Sequence, residues 1–151
     1  MPAPAKLHPI VGTWRLLEHQ TVLDDGEVVS HFGSDPRGRL IVTDGGYMMG
    51  FVVDSSRQAG QSDREHAALH RSMIAYSGTY RVAGDQFVVA VDLSWNQMWD
   101  GTEQARTFQI EGRRLHILSA PGPSALRPGR NAHSRLLWER ETAAISGGAG
   151  N

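Results

Sequence analysis

The chain has 151 residues, the length of one domain that buries roughly 68–70% of the surface its unfolded form exposes, so a core can form without covalent staples. It contains no cysteine, which excludes disulfides, thiolate metal sites, cysteine nucleophiles and iron–sulfur chemistry. Fifteen Lys plus Arg against sixteen Asp plus Glu give a formal net charge of −1, so no global field draws the protein to nucleic acid or to an anionic membrane.

In chain order, the opening Met-Pro-Ala-Pro-Ala-Lys-Leu-His lacks an apolar signal core. No later stretch reaches the ~18 apolar residues of a membrane span, and a cytoplasmic protein without membrane contact is expected. Residues 1–10 read as a lead-in, 11–141 as the folded domain, and 142–151 as a disordered C-terminal tail, Gly/Ala/Ser-rich from Ser146. Short runs of β-branched and aromatic residues between Gly, Asp, Asn and Pro predict strands near 12–20, 27–31, 38–43, 47–53, 76–82, 86–95, 103–110, 114–119 and 133–141. Asp24-Asp25-Gly26, Asp44-Gly45-Gly46, Ala83-Gly84-Asp85 and Glu111-Gly112-Arg113 supply hairpin turns, each with a glycine for positive φ.

One segment breaks the pattern. Ser62-Asp63-Arg64-Glu65 reads as a capping box, followed by Ala67, Ala68, Leu69 and Met73 at helical spacing, which predicts a helix over 63–75. A single helix interrupting a long meander, with no βαβ alternation, predicts an all-β fold. The expected form is an antiparallel up-and-down β-barrel of eight or nine strands with one short helix. Residues 121–130, rich in Pro and Gly, predict a long irregular loop near a barrel mouth or a disordered excursion.

Six ordered segments carry a resemblance. They are Val11-Gly12-Thr13-Trp14-Arg15-Leu16, Phe32-Gly33-Ser34-Asp35-Pro36-Arg37-Gly38-Arg39-Leu40, Asp44-Gly45-Gly46-Tyr47-Met48, Tyr76-Ser77-Gly78-Thr79-Tyr80, Trp99-Asp100-Gly101-Thr102-Glu103-Gln104-Ala105-Arg106 and Leu137-Trp138-Glu139-Arg140. Together they resemble the lipocalin-like domain proteins of the calycin group, over about 11–140. The resemblance implies a closed barrel in which Trp14 of the first strand seals one end and Arg140 of the last strand stacks on it, a cation–π contact of about 0.5–2 kcal/mol. No cofactor is expected. In many relatives a histidine stands in the strand that here reads Val88-Val89-Ala90-Val91-Asp92, so no role resting on it carries over.

Strand alternation sorts the polar candidates. On one strand Phe87, Val89, Val91 and Leu93 share a face and Val88, Ala90, Asp92 and Ser94 the other, with the inward set left open. On the next, Gln104, Arg106, Phe108 and Ile110 share a face. Arg106 inside a barrel needs a carboxylate or an anionic ligand, and Asp92 and Glu18 are the protein candidates; an outward surface arginine fits the same alternation. Acid–base work by Asp92 or Glu18, with Arg106 or one of Tyr47, Tyr76 and Tyr80 holding an oxyanion, is the simplest enzymatic scheme, and His133 is a further candidate for proton transfer. His66 and His70 share a helix face at metal-site spacing but lack the His-Glu-x-x-His pattern, so a solvated face accounts for them and no metal site is expected.

The expected ligand wall comprises Leu16, Leu40, Met48, Tyr76, Ser94, Trp95, Trp99, Gln104 and Phe108, with Met98, Met49 and Phe51 adding apolar surface. Core packing explains part of this set without a ligand. The leading expectation is binding of a small apolar or amphipathic molecule in the lumen. The alternative, implied by the fold resemblance, is a cofactor-free cyclase, isomerase or dehydratase acting on a polyketide- or terpenoid-like intermediate. A barrel filled by its own side chains and used for protein interaction is the third. A sheet edge left by incomplete closure would favour a homodimer.

Overall fold

The computed structural model describes residues 6–145; of the tail expected over 142–151, residues 146–151 lie outside the described residues. Ten strands form in order: β1 (Gly12–Leu23), β2 (Val28–Val29), β3 (Arg37–Val42), β4 (Tyr47–Val53), β5 (Met73–Ala83), β6 (Gln86–Ser94), β7 (Glu103–Glu111), β8 (Arg114–Ser119), β9 (Gly122–Pro123) and β10 (Asn131–Arg140). One helix, α1 (Asp63–Arg71), lies between β4 and β5, and a short 3-10 turn, Gln97–Trp99, lies between β6 and β7. Sequential antiparallel pairing runs β1-β3-β4-β5-β6-β7-β8-β10, and β10 pairs back onto β1. Eight strands thus close a ring, with β2 and β9 as two-residue additions at its rim. Each barrel strand has two neighbours, so the sheet edge that would have favoured a homodimer is absent from the ring.

The hairpins form where expected because Gly26, Gly46, Gly84 and Gly112 take φ of 91°, 94°, 61° and 60°, values that a residue with a Cβ adopts only under strain. The helix starts as expected. Ser62 Oγ accepts from the Glu65 amide at 3.2 Å, and Glu65 reaches back to the Gln61 amide at 3.3 Å. Its end differs from the predicted 75: it stops at Arg71, and Met73 already begins β5. The Leu69 carbonyl there accepts from the Ser72 amide at 3.1 Å, Ser72 Oγ at 2.8 Å and Arg57 Nη2 at 3.3 Å. These local donors satisfy the last turn and release the chain into the sheet.

Two β-bulges decide which side chains face inward. In β1, Leu16 sits opposite Trp138 and Glu18 opposite Leu137, so Leu17 is an extra residue. Trp14 and Leu16 point in before the bulge and His19 points in after it, all three buried. In β6, Val91 faces Gly78 and Leu93 faces Ser77, which makes Asp92 the extra residue. Phe87, Val89 and Val91 are therefore core while Leu93 is 66% exposed. Gly78 is required at this crossing, since a Cβ there would lie 1.9 Å from the Ala90 carbonyl oxygen.

The closed end is built around Trp14. It pairs with Leu40 of β3 and Arg140 of β10, its Nε1 donates to the Ile10 carbonyl at 2.9 Å, and the Arg140 guanidinium carbon lies 4.2 Å from its ring centroid. Arg140 also donates to the carbonyls of Val11 and Pro9. The end of the lead-in consequently joins the core, with Ile10 completely buried.

Candidate functional site

Above this plug the barrel keeps space. An enclosed cavity offers ≈ 80 Å³ to the centre of a water-sized sphere, several times the about 10–15 Å³ that one water needs. Its walls are mainly apolar, with Leu40, Met48 and Val52 from β3 and β4, Ile117 from β8, and Leu136 and Trp138 from β10. At the open end it adjoins a vestibule of ≈ 550 Å³, roofed by β9 and by Ser124 to Leu126 of the loop that follows it. His19, Ile74, Arg106 and Ser134 line both spaces and form the collar between them.

The roof is tied down rather than loose. Arg130 pairs with Asp24 and, at 3.0 Å, with Asp25; Arg127 lies 3.2 Å from Glu27; and the Asn131 amide donates to Asp24 at 3.1 Å. The bonds to Arg130 and to local amides hold the Asp24 and Asp25 carboxyls below their usual range.

Two buried polar atoms in this site have no partner. His19 Nδ1 and Trp138 Nε1 are shielded from solvent, and among the described residues neither is hydrogen-bonded. A buried donor or acceptor without a partner costs about 1–3 kcal/mol, so groups of this kind mark where a ligand or water atom belongs. His19 stacks edge-on against Phe32, ring centroids 4.7 Å apart, and Phe32 in turn meets His31 at 4.6 Å. Burial, and then the nearby His31 charge, lower the His19 pKa from 6.5 to about 4. The ring is thus neutral at neutral pH.

The sequence candidates divide. Leu40, Met48, Tyr76 and Trp99 line the enclosed cavity, Gln104 and His133 line the vestibule, and Arg106 lines both. Tyr76 and Trp99 pack with ring centroids 5.2 Å apart, and Arg106 lies 6.0 Å from the Trp99 ring. Burial raises the Tyr76 phenol above its usual pKa, with the Arg106 charge acting the other way. Leu16 is core and lines neither space, and Phe108 packs at the core against His8 at 5.8 Å. Ser94 bonds to Asn96 and Asp100, and Trp95 stacks on Trp99; neither lines the cavities.

The expected carboxylate partners of Arg106 are corrected: the β1 bulge turns Glu18 outward, and Asp92 follows the core residues Val89 and Val91 on the outward side of β6. Glu18 and Asp92 are both exposed on the outer surface, and Asp92 accepts from Ser77 Oγ at 3.2 Å. His70 Nε2 is engaged with the Trp95 carbonyl at 2.9 Å, and no group of three metal-type ligands occurs among the described residues. Sequence reasoning missed His19, Ile74, Ser134, Leu136 and Trp138. A bulge hid the first, the predicted helix absorbed the second, and Trp138 stood out only as part of a family segment.

The model of the lipocalin-like domain matches residues 11–141. The chain belongs to that family. Its lipocalin-like barrel is similar to the crystal structure of an uncharacterized protein from Bacteroides eggerthii DSM 20697, at 12% identity and a TM-score of 0.43, covering 87% of this chain and 98% of that one. No curated protein matches. Among the described residues of the lipocalin-like chain no helix is long and apolar enough to cross a membrane.

Proposed function

We propose that the protein binds a small, largely apolar molecule in the barrel lumen. The observation that carries this reading is an apolar-walled cavity whose lining residues include His19 and Trp138, each with a buried nitrogen that lacks a partner. A barrel evolved only for its own packing gains nothing from orphaned polar groups, whereas a ligand offering an oxygen to the indole N–H removes the penalty.

Turnover has less support. The acid–base scheme relied on Glu18 or Asp92, and both lie on the outer surface. The carboxylate that does line the vestibule, Glu103, is held 2.9 Å from Arg81.

Native mass spectrometry of the full chain from its own producer tests the reading, together with titration of the uncharged fluorophore N-phenyl-1-naphthylamine. A retained small-molecule mass that is lost on denaturation, or saturable one-to-one fluorescence enhancement reduced by Ile74→Trp at the collar, is expected. An apo mass alone combined with no saturable enhancement would refute it.

A further inference from the structure

The collar carries a fixed positive charge with no counter-charge. Arg106 is the one Lys or Arg lining either space, and it makes no ion pair among the described residues. Its hydrogen bonds go to neutral oxygens, from Nη1 to the Ala105 carbonyl at 2.9 Å and from Nη2 to Gln104 Oε1 at 3.2 Å. Gln104 is itself oriented, its amide donating to Thr102 Oγ1 at 2.9 Å, which fixes the oxygen toward Arg106 and the nitrogen away.

The surrounding groups do not neutralise this charge. Glu103, the one carboxylate lining the vestibule, is paired with exposed Arg81. His19, on the same collar, is buried and adds no second positive charge at neutral pH. Ile74 completes the collar with an apolar wall and Ser134 with a hydroxyl. Of the five N–H donors of a guanidinium, two are used by the protein, leaving three for a ligand at the junction of a wet vestibule and an apolar cavity.

We propose that the ligand is an amphipathic monocarboxylic acid, its carboxylate bound by Arg106 at the collar and its apolar body in the cavity beyond. This rests on the lumen-binding reading above and specifies its head group. One cation matches a monoanion, and the planar guanidinium fork matches the two oxygens of a carboxylate. A dianionic phosphate at this point would leave a charge unpaired beside apolar walls, at a cost that the single arginine does not offset.

The test is displacement of N-phenyl-1-naphthylamine from the full chain at pH 7.5 by octanoate, octan-1-ol and octylammonium, which share a tail and differ in the head. Octanoate is expected to displace the probe at a concentration about tenfold or more below that of octan-1-ol, with octylammonium weakest, since charge-assisted hydrogen bonds are roughly twice as strong as neutral ones. Arg106→Gln should abolish the preference for acid over alcohol. If the probe and octan-1-ol bind while octanoate has no advantage, or if the preference survives Arg106→Gln, the acid assignment is overturned and lumen binding stands. If neither the probe nor any of the three compounds binds, both fall together.

Discussion

The buried histidine makes stability depend on pH in a calculable way. His19 is 5% exposed and its pKa falls from 6.5 to about 4 on folding. Between these values the unfolded chain binds the proton more readily than the folded one, so stability rises with pH across this window and is lost as pH falls through it. At about 1.4 kcal/mol per pKa unit, the loss is about 2 kcal/mol by pH 5 and about 3 kcal/mol by pH 4. Carboxylates held below their usual range, such as Glu103 beside Arg81 and Asp54 beside Ser56, add their own loss at the acid end. The comparison that isolates His19 is therefore wild type against His19→Leu, in urea unfolding at pH 7.5, 6.5, 5.5 and 4.5. The variant should gain on wild type by about 2.5 kcal/mol as pH falls from 7.5 to 4.5, because it has no imidazole to protonate. Curves that stay parallel from pH 7.5 to 4.5 would show that His19 is not held neutral inside the barrel.

Gly78→Ala should cost about 3 kcal/mol or prevent soluble folding, because the added methyl would meet the Ala90 carbonyl at 1.9 Å, a backbone atom that cannot step aside; equilibrium unfolding reads the loss, and a change under 1 kcal/mol would contradict the register of β5 on β6. Arg140→Ala should destabilise by about 2–4 kcal/mol, the sum of the stacking on Trp14 and the bonds to the Val11 and Pro9 carbonyls. Arg140→Lys should recover only part of this, since it keeps the charge but not the flat fork. Asp24→Asn, which weakens the tie to Arg130, should raise hydrogen exchange in the roof segment 122–126 and leave the β3–β4 hairpin unchanged. Equal exchange in both proteins would mean that the roof is held by something else.

What the sequence disclosed and what it hid follow from one geometric fact. Turns announce themselves, because a two-residue reversal needs positive φ and glycine supplies it, as Gly84 and Gly112 do. Strand faces announce themselves only while the period of two is unbroken. Neither Leu17 nor Asp92 differs from its neighbours in any way that marks a bulge, yet each moves the residues beyond it to the opposite face. Counting by twos from Trp14 puts Glu18 in the lumen; the bulge puts His19 there. The same count from Phe87 puts Leu93 inside, where the structure leaves it in water. Arg106 lies on β7, whose register against β6 and β8 has no shift, and there the simple alternation held. Met73 and Ile74 were lost differently, since apolar residues after a helix fit the helical period as well as the start of a strand.

The two ends of the barrel divide the labour of folding and recognition. At one end Trp14 of β1 pairs with both β3 and β10, the second of these closing the ring, and its indole N–H and the stacked arginine donate to the backbone carbonyls of Ile10, Val11 and Pro9. Substitutions at that end act on stability. At the other end the unpaired charge of Arg106 and the orphaned nitrogen of His19 both sit on the collar, beneath a roof attached by surface ion pairs. Exposed pairs of that kind are worth little energetically; the backbone pairing of Gly122 and Pro123 with β10 anchors the other side of the roof. On the proposed reading an amphipathic guest enters tail first through the roofed end, its apolar body passing Ile74 and its polar head stopping at the collar. A reversed guest would bury its charge among Leu40, Met48 and Val52, with no cation lining the enclosed cavity other than Arg106 at the collar.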